Sequence, residues 1–398
     1  MTEFKSLDDI DFAGKRVFLR ADLNVPMNNR AITDAARITE AAVALRELLD
    51  GGAAVVLASH LGRPKGKAVP EFSLRPVAAQ LAGELGGAAI EFVDGWGGSR
   101  PEDAAAALQP GEVLLLENLR FEPGEEANDP AFAARLAALA DIYVDDAFSC
   151  AHRAHASIIG VPGLLPAAAG RLMQKELEAL KAALEEPEHP VAAIVGGNKI
   201  STKLGVLENL IAKVDHLLIG GAMVHTFLLA DGIDVGRSLA EPEMVDTARR
   251  IIDAANGNGC RLTLPTDVRV AAELAETADS KAVSVDAIPD RMMALDIGPK
   301  TAAAMNAVIT QCRTVIWNGP LGAFEFPPFD SGTNSVARLV AERTRSGALK
   351  SIAGGGDTMA ALVQARAAAD FSYVSLAGGA FLEWLQGREL PGIAALKT

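Results

Sequence analysis

Short apolar runs alternate with longer Ala- and Leu-rich stretches of helical period from one end of the chain to the other, and nothing else restricts the fold as much. Strand candidates are Val17–Arg20, Ala54–Ala58, Val113–Glu117, Ile142–Asp145, Ala192–Val195, Leu217–Ile219, Thr314–Trp317, Ser351–Ala353 and Tyr373–Leu376. Between them fall helical patterns such as Asp34–Leu49, Leu74–Leu85, Ser201–Lys213 and Ser335–Ser346. Strands that alternate with helices argue an α/β fold with mainly parallel sheets. At 398 residues the chain exceeds one ordinary core. The expectation is therefore two doubly wound α/β domains joined by a helix, with a cleft between them.

The joining helix is expected in "GRLMQKELEALKAALEEPEHP", Gly170 to Pro190, which carries Leu172, Leu177, Leu180 and Leu184 on one side and ends in Pro-x-x-Pro. It divides the chain into residues 1–169, a connector at 170–190, and residues 191–379. The segment 380–398 is expected to return to the first domain.

Ligands of open α/β sheets bind beyond the carboxyl ends of the strands. In the first half those positions carry Arg20-x-Asp22-x-Asn24, His60-x-x-Arg63, Asn118-x-Arg120 and His152-Arg153, with Arg37 close behind the first set. The net charge is −14, which argues against nucleic acid and against an anionic membrane surface. A basic set in an acidic chain points instead to a small, multiply anionic ligand, since arginine's planar fork matches phosphate and carboxylate. In the second half the same positions carry glycine: Gly196-Gly197, Gly220-Gly221, "NGPLG" (Asn318 to Gly322), "GGGDT" (Gly354 to Thr358) and Gly378-Gly379. Glycine serves a tight turn as well as a close approach to phosphate, and a helix amino end offers free N–H groups. "GGGDT" favours the phosphate, because Asp357 sits where it can meet a phosphate-bound metal. One half suits a small anion and the other a nucleotide-like phosphate chain, and the reaction that joins them is phosphoryl transfer.

These motifs resemble the phosphoglycerate kinase family. "RADLNVP" (Arg20 to Pro26), "SHLGRPKG" (Ser59 to Gly66), "LLENLRFEPGEEAND" (Leu115 to Asp129) and "AHRAHAS" (Ala151 to Ser157) are similar to its substrate motifs. "GGNKISTKLGVLENL" (Gly196 to Leu210), "LDIGPKT" (Leu295 to Thr301), "WNGPLGAFE" (Trp317 to Glu325) and "GGGDT" follow in the family's order. The resemblance implies transfer between 1,3-bisphosphoglycerate and ADP to give 3-phosphoglycerate and Mg-ATP, after hinge closure. It implies that Asp22, Asn24, Arg37, His60, Arg63, Arg120 and Arg153 bind phosphoglycerate. It implies that Gly197, Lys199, Lys203, Gly220, Gly221, Asn318 and the loop Gly354, Gly355, Gly356, Asp357 and Thr358 face the nucleotide, with Asp357 toward Mg²⁺. Glu325 would take the ribose and Leu295 the adenine. Arg37, Lys203, Gly355 and Gly356 would carry the transfer. Against the family's pattern, its Gly-Thr is Ser149-Cys150 here, its "GGAK" carries Asn198, and Leu376-Ala377 replace Thr-Gly in the segment tied to the hinge.

The acceptor is a carboxylate that is already ionised, with a reference pKa of roughly 3.5, so no general base is required. A metal on Cys150, His152 and His155 lacks a fourth ligand of suitable spacing. A dehydrogenase lacks support, because no G-x-G-x-x-G follows the first strand. A non-catalytic relative of the same fold is the remaining alternative. The three cysteines are far apart, Met1 to Asp11 has no apolar run, and no stretch approaches the roughly eighteen apolar residues of a spanning helix. The expectation is a cytoplasmic monomer. In "GGNKISTKLG", Ser201 is expected to cap a helix that carries Lys203 in its first turn and Leu204, Leu207, Leu210 and Val214 inward.

Overall fold

The computed structural model describes residues 4–397. The chain divides into two compact units: one runs to Leu177 and takes in the segment from Glu389 on, the other runs from Glu178 to Arg388. The boundary falls inside the Arg171–Leu184 helix, which stops short of Pro187.

The first unit holds a six-stranded sheet in the order Ile90–Val93, Val113–Leu116, Ala54–Ala58, Arg16–Ala21, Ile142–Asp146, Ala167–Ala169. All its pairings are parallel, and Arg20 stands level with Ala58 on one side and Asp145 on the other. Apart from Arg16 at the start of its strand, the central strands are buried along their length, which is why "VFLRA", "AVVLA" and "VLLL" read as unbroken runs and not as alternation. The helix Ala36–Asp50 buries Ile38, Ala41, Ala42, Leu45 and Leu48 at helical spacing. At the end of the unit, Asp146 Oδ1 accepts from the N–H of Leu172 at 2.7 Å and caps the Arg171–Leu184 helix. Arg171 is anchored to Asp8 and Glu47 in the same unit.

The second unit holds a parallel six-stranded sheet in the order Arg261–Thr263, His216–Ile219, Val191–Val195, Thr314–Asn318, Lys350–Gly354, Tyr373–Ser375. Beside it stands an antiparallel sheet of Ser280–Ser284, Asp267–Ala271 and Met293–Ile297, built on its own small core of Val268, Val270, Ile288 and Ala294. The alternation of the sequence did not announce that sheet, because Ser280–Ser284 is mostly exposed and polar. The helix Gly378–Leu385 belongs to this unit, where Asn209 Nδ2 donates to Leu385 O at 2.8 Å.

One local expectation is corrected. The helix after "GGNKIST" starts at Leu204, with Lys203 as its N-cap residue and not in its first turn. Ser201 does not cap it: its N–H and hydroxyl both donate to the Glu241 carboxylate, at 3.0 and 2.5 Å. Leu207, Leu210 and Val214 are buried as expected, whereas Leu204 is half-buried.

Candidate active site

Parallel pairing sends the ends of four neighbouring strands of the first unit to one edge, and the basic set gathers there. Arg20, the fifth residue of its strand, is wholly buried. Its Nε donates to Ser157 Oγ at 2.9 Å, its Nη1 to Ala21 O at 2.5 Å, and its Nη2 lies 3.2 Å from His60 Nδ1. Burial, then the charges of Arg20 and Arg120, hold the His60 pKa well below its usual value, so the ring is neutral. An arginine N–H facing Nδ1 makes that nitrogen the acceptor and leaves the proton on Nε2. Asn118 Oδ1 accepts from the N–H of Arg120 at 3.0 Å, and Arg120 Nη1 donates to Gly62 O at 2.7 Å.

Asp22 is buried and forms an ion pair with Arg37; Ser149 Oγ donates to the same carboxylate oxygen. Its other oxygen accepts from the N–H of Asn24 at 3.0 Å, and Asn24 Oδ1 accepts from the N–H of Gly62 at 2.8 Å, which ties the first loop to the second. Arg63 is exposed and Arg153 half-buried, and neither guanidinium has a hydrogen-bond partner among the described residues. The arginine charges nevertheless meet: after burial, Arg120, Arg20 and Arg153 together push the His155 pKa down to about 3. Burial raises the Cys150 thiol pKa, and among the described residues no group of His, Cys, Asp or Glu is arranged to hold a metal.

In the second unit, a cavity of about 570 Å³ is lined by residues that include Gly197, Asn198, Gly221, Leu295, Glu325 and Asp357. Lys203 lies beside it, its Cε 3.4 Å from where a Cβ on Gly197 would stand. Lys203 Nζ donates to Asn318 Oδ1, and Asn318 Nδ2 donates to Gly354 O at 2.7 Å. Thr358 Oγ1 accepts from the N–H of Gly319 at 2.7 Å and donates to Gly354 O at 2.9 Å. The lysine, the strand end Asn318 and the "GGGDT" turn are thus one hydrogen-bonded assembly. Gly355 precedes the Gly356–Gln364 helix with φ +105°, a conformation that favours glycine. Burial lowers the Lys203 pKa, and the charge of Asp357 opposes that shift.

Not every glycine serves this cavity. Gly220 is outside its wall: a Cβ there would come within 2.4 Å of Leu321 Cδ2, so this glycine serves loop packing. Lys199 is exposed in the loop ahead of Lys203. Ser149, Ser157 and Glu125 are outside the expected site set, and Arg20, read from the sequence as part of the basic set, is given no ligand by the resemblance; their hydrogen bonds hold the site.

The family model "Phosphoglycerate kinase" matches residues 7–388. A phosphoglycerate kinase of Cereibacter sphaeroides is 56% identical over 393 residues, covering 99% of each chain. The solved phosphoglycerate kinase of Coxiella burnetii has a TM-score of 0.92 at 43% identity, covering 99% of each chain. That of Pyrococcus horikoshii has a TM-score of 0.81 at 30% identity, covering 99% of this chain and 98% of its own.

Proposed function

This chain belongs to the phosphoglycerate kinase family, and from that premise we propose how its residues divide the reaction. The enzyme is a phosphotransferase with a carboxyl group as acceptor. It moves a phosphoryl group reversibly between 1,3-bisphosphoglycerate and ADP to give 3-phosphoglycerate and ATP, a step of glycolysis and gluconeogenesis.

Arg63, Arg120 and Arg153 hold the anionic end of the phosphoglycerate. His60, neutral and with its proton on Nε2, adds a donor and not a charge. Asp22 and Asn24 take the substrate's polar groups, and Arg37 reaches the carboxyl oxygens and the transferring group. No residue acts as a base, because the attacking carboxylate carries no proton to remove. What the site supplies is alignment and a set of fixed donors for the charge that develops in transfer.

On the nucleotide side, Lys203 and the N–H groups of Gly355 and Gly356 meet the phosphate oxygens at the amino end of the Gly356–Gln364 helix. Leu295 lies against the base and Glu325 takes the ribose hydroxyls. The observation that carries this reading is the Lys203–Asn318–Gly354 assembly, which fixes a cation and a helix amino end beside a cavity of nucleotide size. Asp357, exposed in the first turn of that helix, fits Mg²⁺ held mainly by nucleotide phosphates, since the described residues contain no metal cluster of their own. Bound there, Mg²⁺ would neutralise phosphate charge.

Each unit carries one half-site, so the two ligands have to be brought into line by closure at the connector, which also excludes water from the acyl phosphate. One chain holds both half-sites, and a monomer is sufficient. Among the described residues no helix is long and apolar enough to cross a membrane, which suits a cytoplasmic enzyme. A coupled assay of ATP consumption with 3-phosphoglycerate tests the reading. Turnover is expected in the wild type and its loss in Lys203→Ala; binding of both ligands without turnover in the wild type would leave the non-catalytic alternative.

A further inference from the structure

We propose that Ser149 is a positioning residue for phosphoglycerate: it fixes the Asp22 carboxylate and, through it, Arg37. The inference rests on the proposed substrate roles of Asp22 and Arg37, and its geometry is independent of them. Ser149 stands in a turn, Phe148–Cys150, that follows the Ile142–Asp146 strand. That strand pairs with Arg16–Ala21, Ala21 level with Asp146, so the residues just past both strands emerge side by side. Phe148 and Cys150 are buried on either side of Ser149, and the turn is closed by Cys150 N–H to Ala147 O at 2.8 Å and Ala151 N–H to Phe148 O at 2.9 Å. The two buried neighbours leave the serine hydroxyl turned toward Asp22.

The hydroxyl donates to Asp22 Oδ2, the oxygen that also receives Arg37 Nη1, while Oδ1 accepts from the N–H of Asn24. A carboxylate offers about four acceptor positions. With Arg37, Ser149 and Asn24 on three of them, the plane of Asp22 is fixed and one position remains for a donor from the ligand. Without the hydroxyl, Asp22 keeps only Arg37 on Oδ2 and one N–H of its own loop on Oδ1, and its plane is less tightly defined. Ser149 therefore sets the acceptor that a substrate hydroxyl would meet. Ser149 belongs to the unit that carries the basic set, and Lys203 and the nucleotide cavity to the other, so its effect is expected on one substrate.

The test is steady-state kinetics on Ser149→Ala, Ser149→Thr, Asp22→Asn and the double variant Ser149→Ala/Asp22→Asn, with KM read for each substrate. Ser149→Ala is expected to raise KM for 3-phosphoglycerate about tenfold, the scale of one hydrogen bond to a charged group. KM for ATP and the melting temperature are expected to stay as in the wild type. Ser149→Thr, which keeps the hydroxyl, is expected to restore KM, and Ser149→Ala is expected to add nothing once Asp22→Asn is present. If Asp22→Asn leaves KM for 3-phosphoglycerate unchanged, the underlying reading of Asp22 falls and the inference falls with it. If Asp22→Asn raises that KM but Ser149→Ala does not, or adds its full effect in the double variant, the role of Ser149 alone is overturned. A rise in both KM values together with a lower melting temperature would make Ser149 merely structural and also overturn it.

Discussion

Arg37 and Lys203 serve the same transferring group in the proposed reaction, yet the chain holds them in different ways. Arg37 is ion-paired to the buried carboxylate of Asp22, whereas Lys203 rests on the neutral amide of Asn318. The contrast extends to their surroundings. The first unit buries Arg20, Arg120, Asp22, Glu125 and Asp145, and links two of them through a side chain: Arg20 donates to Ser157, whose hydroxyl donates to Glu125. The second unit surrounds its lysine with glycine turns and backbone N–H groups, and burial lowers the lysine pKa. A small ligand dense in charge is read by side chains that must be held in place by other side chains. In the proposed reading the phosphate chain meets one lysine and backbone N–H groups, which the strand ends and one helix amino end already fix.

Four changes separate these two ways of building a site, from the largest expected effect to the smallest. Lys203→Ala is expected to lower kcat by about 10²–10³-fold, the scale of one transition-state donor. KM for 3-phosphoglycerate should stay within about twofold, because a lysine that acts at the transferring group adds little to that substrate's binding. Arg120→Lys keeps the charge but loses the fork that meets Gly62 O, and is expected to raise KM for 3-phosphoglycerate by about tenfold with KM for ATP unmoved. An equal change in both KM values would erase the contrast.

Gly355→Ala is expected to act on the other side. A Cβ at φ +105° would stand 3.0 Å from Asn318 Nδ2, so the variant should lose about 1–3 kcal/mol in chemical denaturation and bind ATP more weakly. The last prediction concerns pH. Burial raises the carboxyl pKa of Asp145 in the first unit and of Asp296 in the second to about 7. Each keeps in the folded state a proton that the unfolded chain releases above roughly pH 4. Their stabilisation is therefore complete below about pH 4, declines as the pH rises to about 7, and is constant above that. Asp296→Asn should flatten the second unit's share of that decline, by about 2–4 °C in melting temperature for each 1 kcal/mol removed, and leave the share of Asp145.

What the sequence revealed follows the same division. The parallel strands were legible because both of their faces are buried, as in "VFLRA" and "VAAIV", and the strand ends then located the basic set and the glycine set. Ile90–Val93 and Ala167–Ala169 were not legible: the first is mostly part-exposed, and a run of alanines suits a helix as well as a strand. The start of the helix at Leu204 was misplaced because Ser201 finds Glu241, forty residues on, a partner that local pattern cannot supply. Asn318 was expected at the phosphates, and its bonds to Lys203 and Gly354 O were out of reach, since they join three segments that meet by sheet order alone.

Calorimetric titration of each substrate into Arg37→Ala and Lys203→Ala, paired with turnover of the same samples, tests the division most directly. The account predicts that Lys203→Ala binds 3-phosphoglycerate with wild-type affinity, that Arg37→Ala binds ATP with wild-type affinity, and that both lose turnover. Loss of 3-phosphoglycerate binding in Lys203→Ala, loss of ATP binding in Arg37→Ala, or near-normal turnover in either variant would contradict it.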